Sequence, residues 1–162
     1  MSLRDLRSTN MLYIGFDDIC DIYENVVRVS GGGIKGILDK GRIEGILEAV
    51  KNDDYYPEIE DKVSYLFFSL NKYHCFQDGN KRIALAICIH FLNLNGYLFI
   101  LRRFTMEMEN ISIHVAAGLI DRDLLTEIIQ SIIYEDDFSE KLKLKIIEAI
   151  GIYQLEEEGV LI

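Results

Sequence analysis

Apolar residues recur along this chain at intervals of three and four, punctuated by Gly, Asn, Asp and one Pro, and that period predicts helices almost throughout. Phe16 to Val29 (FDDICDIYENVVRV) sets Ile19, Tyr23, Val26 and Val27 on one stripe, with Asp17 and Asp18 at the favourable N-terminal end. Ser30-Gly31-Gly32-Gly33 ends it, as a tight turn or a flexible flap. Asp39 is the predicted N-cap of a short helix through Val50, whose inner face is Ile43, Ile46, Leu47 and Val50. Gly41 and Gly45 weaken that helix by about 1 kcal/mol each relative to alanine, so packing must hold it. Pro57 is placed to open the next helix, in which Val63, Leu66, Phe67 and Leu70 form the stripe of Glu58 to Lys72.

The densest run is Ile83 to Leu94 (IALAICIHFLNL), apolar at ten of twelve positions, which predicts a helix buried on nearly all sides and stopped by Asn95-Gly96. Tyr97 to Leu101 is too short to build a sheet. Thr105 is the predicted cap of a helix to about Ala117, Asp121 of one from Leu124 to Glu135, and Ser139-Glu140 begins a last one through Ile150. The expectation is a single all-α domain over residues 1–162, with about seven helices around one buried central helix and at most a short β-hairpin near Ser30 to Leu38. Its core spans 11–135; residues 136–162 add a C-terminal helix and a solvated tail, Glu156-Glu157-Glu158.

Composition narrows the function classes. A length of 162 residues at 49% hydrophobic content can bury a good core. A net charge of −10 argues against broad nucleic-acid binding, which needs a basic surface. No apolar run reaches membrane-spanning length, and Met1 to Asn10 lacks the apolar segment of a signal peptide. The three cysteines have neither metal spacing nor an even disulfide count; Cys20 and Cys88 read as small buried hydrophobes in a reducing cytoplasm.

The chemistry is concentrated in Tyr73 to Arg82 (YHCFQDGNKR), immediately before the buried helix. Gly79-Asn80 is a poor helix interior and a good helix entry, so the N–H groups of Gly79 to Arg82 can converge on a phosphate. Arg82 offers a planar charged fork and Lys81 a point charge, both suited to phosphate oxygens. Asp78 would repel a phosphate unless a divalent cation stood between them, and Mg²⁺ commonly takes one or two carboxylates plus substrate phosphates. His74 is the group able to accept a proton near neutral pH. The structural alternative is a plain turn at Asp78 to Arg82 beside a surface histidine. Phe76 is a core anchor for the loop in either case, and His90 and His114, on apolar helices, read as structural.

The segment resembles the signature of the Fic/Doc (Fido) family, H-x-F-x-[DE]-[AG]-N-[GK]-R, at every constrained position of His74-Cys75-Phe76-Gln77-Asp78-Gly79-Asn80-Lys81-Arg82. A second block, Gly32 to Glu44 (GGIKGILDKGRIE), is similar to G-G-x-x-G-I-R-D-x-G-L-L-E of the death-on-curing (Doc) toxin branch. The likeness covers about Met11 to Glu135. It implies a Fido fold that transfers part of ATP, with Mg²⁺, onto a hydroxyl of a target protein. His74 would be the base, assisted by Arg82, with Asp78 as the metal ligand. Gly79, Asn80, Lys81 and Arg82 would cradle phosphates. Gly33, Ile34, Lys35, Gly36, Ile37 and Leu38 would be the flap that docks the target.

Lys81 and Leu85 point to the Doc branch and transfer of the γ-phosphoryl group. Gly79 is shared with the AMP-transferring Fic branch, and Leu38 stands where the Doc flap block has arginine. Adenylylation and a non-catalytic Fido binding domain therefore remain as alternatives. The inhibitory pattern [S/T]-x-x-x-E-[G/N] has one near match, Ser131 to Asp136, which core packing explains without regulation. An antitoxin acting in trans is the expected control, and the C-terminal helix is available for that contact or for a homodimer.

Overall fold

The computed structural model describes residues 10–31 and 36–157, the last six by backbone alone. Seven α-helices account for almost all of it, and among the described residues there is no strand, only an isolated antiparallel bridge between Ile37 and Phe76. They are α1 (Phe16–Val29), α2 (Lys40–Ala49), α3 (Ile59–Lys72), α4 (Asn80–Leu94), α5 (Leu101–Ala116), α6 (Arg122–Tyr134) and α7 (Glu140–Glu157), with a 3₁₀ turn at Leu98–Ile100 before α5. The all-α expectation holds. No helix among the described residues is long and apolar enough to cross a membrane.

Helix starts follow local chemistry. Asp39 accepts from Arg42 N at 2.9 Å, and Asp121 accepts from Leu124 N at 2.8 Å. Asp18 and Asp61 reach back to the N–H groups of Gly15 and Glu58 at 2.8 and 3.1 Å. The end of α4 is a Schellman turn: Gly96, at φ +87°, lets Tyr97 N donate to Leu92 O at 3.0 Å.

Three boundaries differ from the sequence reading. Pro57 lies outside α3, which begins at Ile59 behind the cap Glu58. Thr105 is inside α5 and donates its hydroxyl to Leu101 O at 2.8 Å, because a threonine can bond backwards within a helix as readily as cap one. The last helix runs past Ile150 to Glu157, with Gly151 inside it.

Two helices share the centre. α4 packs against α1, α3 and α5, while α3 packs against α2, α4, α5 and α6. Phe67, Phe76, Phe91 and Phe104 are each at most 1% exposed, and a side chain of that size contributes about 2–3 kcal/mol when fully buried. α4 is less enclosed than its composition predicts: Ala86, Ile89, His90 and Asn93 line an open apolar groove with Ile22 and Val26 of α1. Cys88 is buried as expected, Cys75 is buried as well, and Cys20 is half-exposed.

Candidate functional site

The site is built where α3 stops and α4 starts. Tyr73 closes α3 by donating its N–H to Ser69 O at 3.0 Å. His74 then adopts φ +48°, a left-handed conformation that is uncommon outside glycine and favoured among the rest by Asn, Asp and His. The chain reverses there and sends Cys75 and Phe76 into the core, both at most 1% exposed. Phe76 stacks on Tyr23 of α1 with centroids 5.4 Å apart, which confirms it as the loop's anchor.

A side-chain clamp completes the loop. Asn80 Oδ1 accepts from Phe76 N at 3.0 Å, and Asn80 Nδ2 donates to Phe76 O at 2.8 Å. Its amide is thus committed to the loop, leaving its backbone N–H for a ligand. Gly79 sits at φ +75° as the residue before α4, and its own N–H donates to Asp78 Oδ1 at 2.7 Å. The first turn of α4 contains no acidic residue. Its free N–H groups, Lys81 and Arg82 therefore face solvent as a local positive end on an acidic protein.

His74, Asp78, Gly79, Asn80, Lys81 and Arg82 all line one cavity of about 420 Å³, together with Asn71, Gln77 and Ala116. Asn71 has no counterpart in the sequence reading; a polar residue at a helix end reads as surface, yet it is 1% exposed. Gly36 to Leu38, the described part of the segment expected to be a flap, runs antiparallel to the loop. Leu38 N donates to Cys75 O at 2.8 Å, Gln77 N donates to Gly36 O at 2.9 Å, and Gly36 N donates to the Tyr23 hydroxyl. Leu38 is exposed. Gly33, Ile34 and Lys35 lie outside the described residues.

Among the described residues no group of three or more His, Cys, Asp or Glu is placed to hold a metal ion. Asp78 supplies a single exposed carboxylate, a donor set that fits a hard cation taking its other ligands from phosphates and water. The cation-rich helix start beside it fits the phosphates. The Ser131 to Asp136 segment is accounted for by its own helix end: Ser131 Oγ donates to Glu135 Oε2 at 2.8 Å, Arg103 donates to the Ser131 and Glu135 carbonyls, and Ile132 and Ile133 are buried.

The Fic/DOC family model matches residues 13–92. The protein kinase doc of Escherichia phage P1 is 34% identical over 91 residues, 53% of this chain and 70% of that protein. This chain belongs to the Fic/Doc family. A second Fic/Doc relative, the toxin Doc of Mycolicibacterium smegmatis, is 35% identical over 72 residues, 42% of this chain and 55% of that toxin. The seven-helix architecture is consistent with the Fido fold of the family. The family match contains the whole Gly79 to Arg82 turn and the Gly36 to Leu38 segment paired beside it.

Proposed function

We propose that this protein is a Doc-like, Mg²⁺-dependent transferase that moves the γ-phosphoryl group of ATP onto a hydroxyl of a target protein. The observation that carries the reading is the single cavity in which a base, a carboxylate and a cationic helix start converge. His74 takes the proton of the attacking hydroxyl. The hydroxyl oxygen bonds to the γ-phosphorus as the bond from that phosphorus to the bridging oxygen breaks, and ADP leaves. Lys81, Arg82 and the N–H groups opening α4 hold the phosphate oxygens and offset the charge that develops on them. Asp78 would hold the Mg²⁺, which supplies charge neutralisation between phosphates.

Gly36 to Leu38 pairs with Cys75 to Gln77, so the segment that would present the target's backbone is anchored beside His74. That supports docking of the target hydroxyl next to the base. Lys81 and Leu85 favour phosphoryl over AMP transfer. One relative is named a kinase and the other a toxin; on this reading the protein is itself a toxin, held in check by a partner antitoxin in the cytoplasm.

The test is incubation with host lysate, Mg²⁺ and ATP labelled at either the α- or the γ-phosphate, with His74→Ala alongside. His74-dependent label from the γ position only is the expected outcome. Label from the α position would make the enzyme an AMP transferase, and no His74-dependent label would leave a binding domain.

A further inference from the structure

Asn71, in the last turn of α3, is 1% exposed and only half satisfied. Its Nδ2 donates to Phe67 O at 2.8 Å, whereas its buried Oδ1 has no hydrogen-bond partner. The orientation of the amide is chemically fixed, because exchanging the two atoms would set acceptor against acceptor at the Phe67 carbonyl. What Asn71 lacks is therefore a donor. A buried carbonyl left without one is costly, and a leucine here would carry no such cost.

The second group is His74, three residues away and exposed. His74 lines the same cavity as Asn71, and its imidazole makes no hydrogen bond to a described residue. The left-handed turn at φ +48° reverses the chain over the end of α3, which is how residues 71 and 74 come to share one cavity. Of the other cationic or amide groups on the cavity, Asn80 is spent on Phe76, and Gln77, Lys81 and Arg82 are exposed side chains of the loop and of the first turn of α4.

We propose that Asn71 is a positioning residue for His74. The bond is not made in this structure: once the exposed His74 ring turns toward Asn71, the Asn71 Oδ1 accepts from His74 Nδ1–H, which fixes the tautomer of the neutral ring and leaves the Nε2 lone pair for the hydroxyl proton. A neutral imidazole has one donor and one acceptor nitrogen, and the hydrogen bond made by one decides the role of the other. This rests on the reading of His74 as the base, and the experiment separates the two.

The full chain is labelled with ¹⁵N-histidine, and the ring nitrogen shifts are read well above the ordinary histidine pKa of about 6.5. His74→Ala assigns the signal among the three histidines. The expected result is an Nδ1–H tautomer for His74 that reverts, in Asn71→Leu, to the Nε2–H form favoured by a free histidine side chain. Asn71→Ser, whose hydroxyl can donate to the Phe67 carbonyl and still accept a hydrogen bond, retains the Nδ1–H form. In transfer assays Asn71→Leu lowers kcat by roughly tenfold to a hundredfold with KM for ATP unchanged. An Nε2–H tautomer in the unsubstituted protein, or an Nδ1–H tautomer that survives Asn71→Leu, overturns the proposal and assigns the Asn71 oxygen to a buried water. Transfer that persists in His74→Ala overturns the base role instead, while the tautomer still reports on the hydrogen bond.

Discussion

The Asn80 side chain is bonded through both ends of its amide to one residue, Phe76, at 3.0 and 2.8 Å. It mimics a strand partner and locks the loop backbone against the start of α4. Asn80→Ala removes both bonds and leaves the Phe76 N–H and C=O groups only partly hydrated, at about 1 kcal/mol each. The expected loss is about 2 kcal/mol in urea denaturation at an unchanged m-value. A loss below about 0.5 kcal/mol would mean that the loop is held by Phe76 packing alone.

Gly79 matters for its backbone. At φ +75° an L side chain is strained, and a Cβ would stand 3.3 Å from Arg82 Nη2 and 3.7 Å from Ile83 Cδ1. The Arg82 tip is flexible and can give way, so the conformational strain dominates. Gly79→Ala should cost about 1–2 kcal/mol, and Gly79→Val more, because branching at Cβ narrows the left-handed region further. Thermal denaturation of the pair in parallel checks the ranking.

The Tyr23 hydroxyl accepts from Gly36 N, and its ring stacks on Phe76. Tyr23→Phe keeps the stack and deletes the bond. Loss of about 1 kcal/mol of local protection corresponds to roughly fivefold faster exchange of the Gly36 amide. Hydrogen exchange by NMR should show that acceleration at Gly36, with core amides of α3 and α4 little changed. Uniform acceleration across the core would instead give the hydroxyl a global role.

Much of the scaffold was legible because its signals are local. Asp39, Asp121 and Asn95-Gly96 mark helix ends by chemistry that acts within four residues. The misread positions are those where the same side chain serves two purposes. Thr105 bonds backward inside α5, whose real start at Leu101 continues a 3₁₀ turn and carries no capping side chain. The last helix, expected to end at Ile150, runs on through Gly151 to Glu157. The loop's chemistry was visible as residue types, but the clamp of Asn80 on Phe76 and the burial of Asn71 depend on how two helix ends meet. No spacing in the sequence encodes that meeting.

Burial also sets the thiol chemistry. The Cys88 thiol is pushed up by burial alone; the Cys75 thiol is pushed up first by burial and then by Asp39, with Arg42 offsetting part of it. A raised thiol pKa means that the nucleophilic thiolate is depleted at mildly alkaline pH and returns only as pH rises further. Iodoacetamide should therefore modify Cys20 alone in the folded protein and all three cysteines in denaturant, counted by mass spectrometry. Rapid triple labelling under native conditions would contradict the buried placement of Cys75 and Cys88.

Lys62 is 1% exposed, and its ammonium donates to Val50 O at 2.9 Å and to Asp53 Oδ1 at 2.7 Å, close to the Tyr13 ring. The partner's side chain is 76% exposed. Lys62→Met keeps the packing of the stem, removes the buried charge and lets Asp53 rehydrate, leaving only the Val50 carbonyl short of a donor; about 1 kcal/mol should be lost. Asp53→Ala, the change at the exposed site, leaves a buried ammonium with one neutral partner and should cost more, about 2–3 kcal/mol. The double substitution should then resemble Lys62→Met, a coupling that urea denaturation of all four proteins measures. A cheap Asp53→Ala would mean that the ammonium leaves the core for water when its carboxylate is removed, and that the Val50 to Asp53 turn is held to α3 by packing.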